Sequence, residues 1–216
     1  MNLDVREIIA MSAAFFAILM MGTTVLRLNL LLFSLQALFI AAETACFGWW
    51  FHSNHLYLVA LSLAFTKVLI VPVFLGWIVR RINVQSDAGT VIPIPIAMHL
   101  SIVLLGISYL LALQLPGLPG DPDSRMGATA AMSLLFSGVL LMLTRRIAVS
   151  QIIGFLVIEN GVYLFALTQT QGMPMIVEMG VLLDVLVGVM ITGLLLFRIQ
   201  KSFEHIDVTQ LTELRD

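Results

Sequence analysis

The chain has 216 residues, of which 60% are hydrophobic and 11% charged, and its mean hydropathy is +1.03. A soluble domain is about a quarter charged, so the composition excludes an ordinary aqueous domain and predicts an all-α, polytopic membrane protein, one membrane domain over 1–216. A formal net charge of −2 gives no basic footprint for nucleic acid. One cysteine, Cys46, excludes an internal disulfide and an all-protein cysteine cluster for iron and sulfur.

The opening segment MNLDVREIIA mixes Asp4, Arg6 and Glu7 and lacks a basic n-region, so no cleavable signal sequence is expected. A first span is predicted from about Ile8 to Leu26 and a second from Leu28 to Trp50. Each is near the ~20 residues that cross a ~30 Å hydrocarbon layer as a helix. Glu43 sits in the last third of the second span, and Trp49 and Trp50 mark its interfacial end. In the connection FHSNH, His52 and His55 have a spacing that would set two imidazoles on one helical turn. With no third ligand nearby in sequence, interfacial histidines are the better reading, and no metal is expected.

A third span, His55 to Val79, carries Lys67 near its centre and then Pro72, which removes a backbone donor and kinks the helix or leaves a carbonyl free. Arg80 and Arg81 end it. The fourth span runs from Val91 to Leu113, with Pro93 and Pro95 at its entrance and His99 inside. The Pro- and Gly-rich LPGLPGDPDSR is a loop. The fifth span lies between Arg125 and Arg145, and the last two are QIIGFLVIENGVYLFALTQT and MIVEMGVLLDVLVGVMITGLLLF, within 151–197. A short cytoplasmic tail, 201–216, follows.

Basic residues test the count of seven. Arg27, Arg80 with Arg81, Arg145 with Arg146, and Arg198 with Lys201 fall after the first, third, fifth and seventh spans, whereas the alternate connections hold at most Arg125. Such alternation is the positive-inside pattern for an outside amino terminus and a cytoplasmic carboxyl terminus.

Ionisable residues inside these spans are the candidate site. Glu159, Glu178, Asp184, Glu43, Lys67 and His99 sit in apolar runs, where a charge costs several kcal/mol unless it faces protein or water. Either they form a charge or proton path, or they are polar glue between helices. Asn160 beside Glu159 points about 100° away around the helix, which favours a separate polar contact. Glu43 is a possible partner for Lys67 only with some stagger between the second and third spans, and Lys67, Glu159 and Glu178 are together read as one electrostatically coupled path. No dinucleotide fingerprint and no P-loop occurs, so no nucleotide site is expected, and the histidines lack the placement of paired haem ligands. A charge path without a driver suggests a subunit of a larger energy-converting assembly. An autonomous ion transporter and a purely structural scaffold are the alternatives.

The run GFLVIENGVYLFAL followed by MPMIVEMGVLLDVLVGVMITG resembles the E subunit of hydrogenase-4 and related group 4 nickel–iron complexes of the formate hydrogenlyase type. The last three spans are similar to the small K-type subunit of respiratory complex I, and the tail IDVTQLTEL fits the same family. The resemblance implies a non-catalytic, cofactor-free subunit in a bacterial or archaeal cytoplasmic membrane. Its implied partners are antiporter-like membrane subunits and the membrane anchor of a nickel–iron hydrogenase-type arm. By motif, Glu159 and Glu178 match the two membrane glutamates of the K-type subunit. Both lie on its hydrophilic axis between proton channels.

Overall fold

The computed structural model describes residues 3–81, 86–87, 89–115 and 125–169. All of them belong to the compact unit Met1–Gly180; the other unit, Val181–Asp216, lies outside the described residues, and so does the predicted seventh span with Glu178 and Asp184. The described chain is helical: α1 (Leu3–Met21), α2 (Leu26–Trp50), α3 (Asn54–Leu63), a π-helical segment (Ala64–Ile70), α4 (Val71–Arg81), α5 (Ile94–Ala112), α6 (Arg125–Thr144) and α7 (Ala148–Gln169). α3, the π segment and α4 form one continuous stretch, Asn54–Arg81. Among the described residues, five helical stretches are long and apolar enough to cross a membrane: α2, Asn54–Arg81, α5, α6 and α7. α1 is a sixth helix of the bundle, with Asp4, Arg6 and Glu7 in its first turns.

Burial divides the helices by role. In α7, 61% of the apolar stretch is buried, against 17% in α5 and 28% in Asn54–Arg81. α6 packs on α1, α5 and α7, and α2 packs on α1, α7 and the Asn54–Arg81 stretch. The outer faces of α3 to α5 present Leu58, Leu61, Phe65, Val73, Val103 and Leu110, a surface suited to hydrocarbon.

Small residues set the closest approach in the bundle. A Cβ on Gly138 would stand 2.7 Å from the Gly154 carbonyl oxygen, and one on Gly154 would stand 2.9 Å from the Gly138 carbonyl oxygen. One added to Gly161 would meet the Ala131 carbonyl oxygen and the Leu135 nitrogen at 2.9 Å. α6 and α7 therefore touch backbone to backbone, the arrangement that membrane helices use where lipid tails offer no hydrophobic drive to associate. The residues immediately before Gly161 are Glu159 and Asn160, so this contact fixes the helix that carries them.

One end of the bundle is tied by a buried arginine. Arg145, between α6 and α7, donates from Nη2 to the carbonyls of Thr23 in the α1–α2 turn at 2.8 Å and of Met21, the last residue of α1, at 3.2 Å, where the helix leaves its carbonyl without an internal partner. Burial pulls this guanidinium below its ordinary pKa, and the nearby Asp87 carboxylate works against that. Asp87 donates its backbone N–H to Thr24 O at 2.9 Å and accepts the Ile147 N–H on Oδ2 at 3.2 Å. The α1–α2 turn, the segment around Asp87 and the α6–α7 turn thus meet at one end. The three basic clusters after the first, third and fifth predicted spans share that end.

Replacing Gly154 with alanine should lower the unfolding free energy of the detergent-solubilised protein by about 1–3 kcal/mol, because the rigid partner is backbone. Gly106, with nothing within 4 Å of its would-be Cβ, should tolerate the same change without loss. Equal effects at the two positions would contradict the close-contact account.

Candidate functional site

Lys67 is carried by the π segment, and Pro72 explains why the helix widens there. The proline offers no N–H to the preceding turn and its ring crowds the carbonyl four residues back. A widened turn relieves both, and Val71 N–H reaches back five residues to Thr66 O. Sequence reasoning anticipated a disturbed helix at Pro72. The structure places the disturbance at the lysine itself.

The Lys67 ammonium sits 2.9 Å from Glu159 Oε1 and 3.0 Å from Asn160 Oδ1. Asn160 Nδ2 donates to Gln36 Oε1 at 3.2 Å, and Gln36 Nε2 donates to the Ala13 carbonyl at 3.3 Å. The chain of hydrogen bonds therefore runs from the π segment through α7 and α2 to α1. Lys67 and Glu159 are each 3% exposed, Asn160 1% and Gln36 0%. The expected separation of Asn160 from the Glu159 site is corrected: the long lysine stem sets Nζ between two adjacent side chains, so one donor serves both.

A second buried pair lies toward the tryptophan end. Arg6 Nε is 3.6 Å from Glu43 Oε1, and the guanidinium carbon stands 4.0 Å over the Phe47 ring and 6.0 Å from the Trp50 ring, within cation–π range. Among the described residues, Lys67 has the Glu159 carboxylate at hydrogen-bond distance, and Glu43 faces Arg6. Between the two pairs, Thr44 Oγ1 and Tyr163 Oη lie 3.0 Å apart. Thr44 gives its own proton to Ile40 O at 2.8 Å, which leaves the tyrosine hydroxyl to donate.

The other sequence candidates fall elsewhere. His99 is exposed on α5, with Nδ1 at 2.7 Å from the Pro95 carbonyl of its own helix. His52 has a left-handed backbone, φ 50°, just beyond α2, while His55 lies in α3, so the two do not share a helical turn. Among the described residues no group of three or more His, Cys, Asp or Glu side chains is placed to hold a metal ion. Glu178 and Asp184 lie outside the described residues.

Arg6, Gln36, Thr44, Tyr163 and Asp87 escaped the sequence reading. For α2 a signal was present. Asn29, Gln36 and Glu43 recur every seven residues, which keeps them on one helix face, and all three are buried.

Removing one member of the central pair strands the other. Lys67→Met should cost about 3–5 kcal/mol of stability, whereas Lys67→Met combined with Glu159→Leu should cost less than either single change. Chemical unfolding of the purified variants measures the cycle, and strictly additive costs would contradict direct pairing.

The chain is 32% identical over 162 residues to the "Uncharacterized protein Rv0085" of Mycobacterium tuberculosis, covering 73% of this chain and 72% of the relative. It is 26% identical over 189 residues to hydrogenase-4 component E of Escherichia coli strain K12, covering 88% and 87%. The component E of Shigella flexneri matches to the same extent. No family model and no solved structure matches the chain. An all-α, multi-pass membrane chain with these relatives belongs to the family of the Mycobacterium tuberculosis protein Rv0085 and is a distant homologue of hydrogenase-4 component E.

Proposed function

We propose that the chain is a non-catalytic subunit of an energy-converting membrane complex, in which the Lys67–Glu159 pair is a relay for translocated charge. The observation that carries this reading is an ion pair at 2.9 Å with both members 3% exposed, inside helices of membrane-crossing length. Such groups are expensive in hydrocarbon and by default functional. A carboxylate that changes its proton alters the field at its lysine neighbour, and the lysine can then change its own partner among Glu159 and Asn160. That responsiveness passes a local charge change from α7 to the π segment. Glu178 and Asp184 extend the reading by sequence alone, with Glu43 and His99 as flanking candidates.

The homologous component E supports membership of a hydrogenase-type assembly, with antiporter-like subunits and the membrane anchor of a nickel–iron arm as neighbours in a bacterial cytoplasmic membrane. The proposed topology has seven spans, an outside amino terminus and a cytoplasmic carboxyl terminus. A structural scaffold is the second reading, since the same hydrogen bonds tie α1, α2, α7 and the π segment together.

Two measurements test these statements. In proteoliposomes holding the intact native complex, Glu159→Gln should reduce ion translocation per redox turnover by about tenfold or more while the subunit still copurifies. Full translocation contradicts the relay, and loss of the subunit instead favours the scaffold. For topology, single cysteines at positions 2 and 214, introduced after Cys46 is replaced, should be labelled by an impermeant reagent from opposite sides of the membrane. Labelling of both from one side excludes an odd number of spans.

A further inference from the structure

We propose that a proton route leads from the Lys67–Glu159 pair to the Trp49–Trp50 end of the bundle, through the hydroxyls of Tyr163 and Thr44 and then the Glu43–Arg6 pair. This rests on the relay reading above and adds a direction, an ion and three residues to it. α2 and α7 start at the same end, where Arg145 ties the α6–α7 turn to Thr23 in the α1–α2 turn. Rising residue number on either helix therefore leads away from the basic clusters and toward Trp49 and Trp50. The Gln36–Asn160 bond is the inner rung between the helices and the Thr44–Tyr163 bond the outer one. On α2 the two rungs are about 12 Å apart.

Tyr163 lies one turn beyond Glu159 on the same face of α7. Thr44 is adjacent in the chain to Glu43, whose carboxylate faces Arg6. Glu43 stands about 10 Å of helix from Trp50, and both tryptophans are exposed, as interfacial anchors are. Polar groups thus follow one another from the centre of α7 as far as the Glu43–Arg6 pair.

The chemistry of the link selects a proton. Ammonium and guanidinium groups only donate, but a hydroxyl both donates and accepts. A proton released from the Glu159 carboxyl is taken up by Tyr163 Oη as Tyr163 gives its own to Thr44 Oγ1. Thr44, turning its O–H away from the Ile40 carbonyl, then gives its own proton toward the Glu43 carboxylate. No bond other than O–H is made or broken, and each hydroxyl ends neutral. Glu159 is one turn from Tyr163 on α7 and Thr44 is next to Glu43 on α2, so the proposed route takes a bridging water at each of these two steps. A metal cation travelling the same way meets two fixed cations, Lys67 and Arg6, whereas a proton neutralises the carboxylate beside each. Arg6, held over Phe47, stabilises Glu43 as the charged acceptor at the rim.

The test uses the intact native complex in proteoliposomes, with Thr44→Val, Thr44→Ser, Tyr163→Phe and the Thr44→Val/Tyr163→Phe double variant. Thr44→Val and Tyr163→Phe should each slow proton translocation per redox turnover by about tenfold. The double variant should be no slower than the slower single, because both changes break one link. Thr44→Ser should keep the wild-type rate. Tyr163→Phe keeps the ring packing and carries the test should Thr44→Val reduce assembly. Wild-type rates in both single variants overturn the route, and so does a Thr44→Ser variant as slow as Thr44→Val, which marks a packing role. Slow Glu159→Gln with fast Thr44→Val and Tyr163→Phe overturns only this route; fast Glu159→Gln overturns the relay itself.

Discussion

An ammonium and a carboxylate cannot each be placed alone in hydrocarbon without a cost of several kcal/mol, and this protein places both there. The Lys67–Glu159 contact at 2.9 Å is the interaction on which the surrounding arrangement depends. A direct pair offsets part of the desolvation, but a buried pair seldom repays all of it unless the remaining hydrogen-bonding sites are also met. Asn160, Gln36 and the Ala13 carbonyl extend the bonding outward from the lysine. Four helical elements contribute to one polar seam, and the apolar surface is left to α5 and the outer face of Asn54–Arg81.

The rest of the bundle supplies the rigidity that such a pair needs. α7 cannot retreat from Lys67, because its backbone is pressed against α6 at Gly138, Gly154 and Gly161. On the other side, the π segment disturbs the regular helix at the lysine, a local irregularity common at functional sites. The two partners are thus held differently: the acid by a dense small-residue contact, the base by a long flexible stem on a widened turn. At the basic end, Arg145 and Asp87 join three connections that the sequence keeps far apart. That junction sets α2 and α7 parallel, which brings Thr44 beside Tyr163.

Much of this was legible in the residues. Long apolar runs located α2, α5, α6 and α7, and the improbable charge in such runs put Lys67 and Glu159 among six candidates before any contact was known. Pairing was less legible. Glu43, Glu159 and Glu178 were all weighed as partners for Lys67, Glu43 because the second and third spans are neighbours, and the lysine lies on Glu159, ninety-two positions away in sequence. Sequence spacing carries no information on which of two buried acids a long side chain reaches. Asn160 was assigned elsewhere because helical azimuth describes Cα–Cβ directions and neglects the reach of the partner. His99 was legible as intramembrane but its outward face was not, since α5 is apolar all round.

The relationship to Rv0085 and, more distantly, to hydrogenase-4 component E is the setting of the proposed relay. The central claim is that Glu159 changes protonation during turnover. Infrared difference spectroscopy of the intact complex, driven and resting, reads this directly as a change in a carboxyl C=O stretch. The account predicts a band that shifts in deuterium oxide and vanishes in Glu159→Gln; an unchanged difference spectrum in that variant would contradict it.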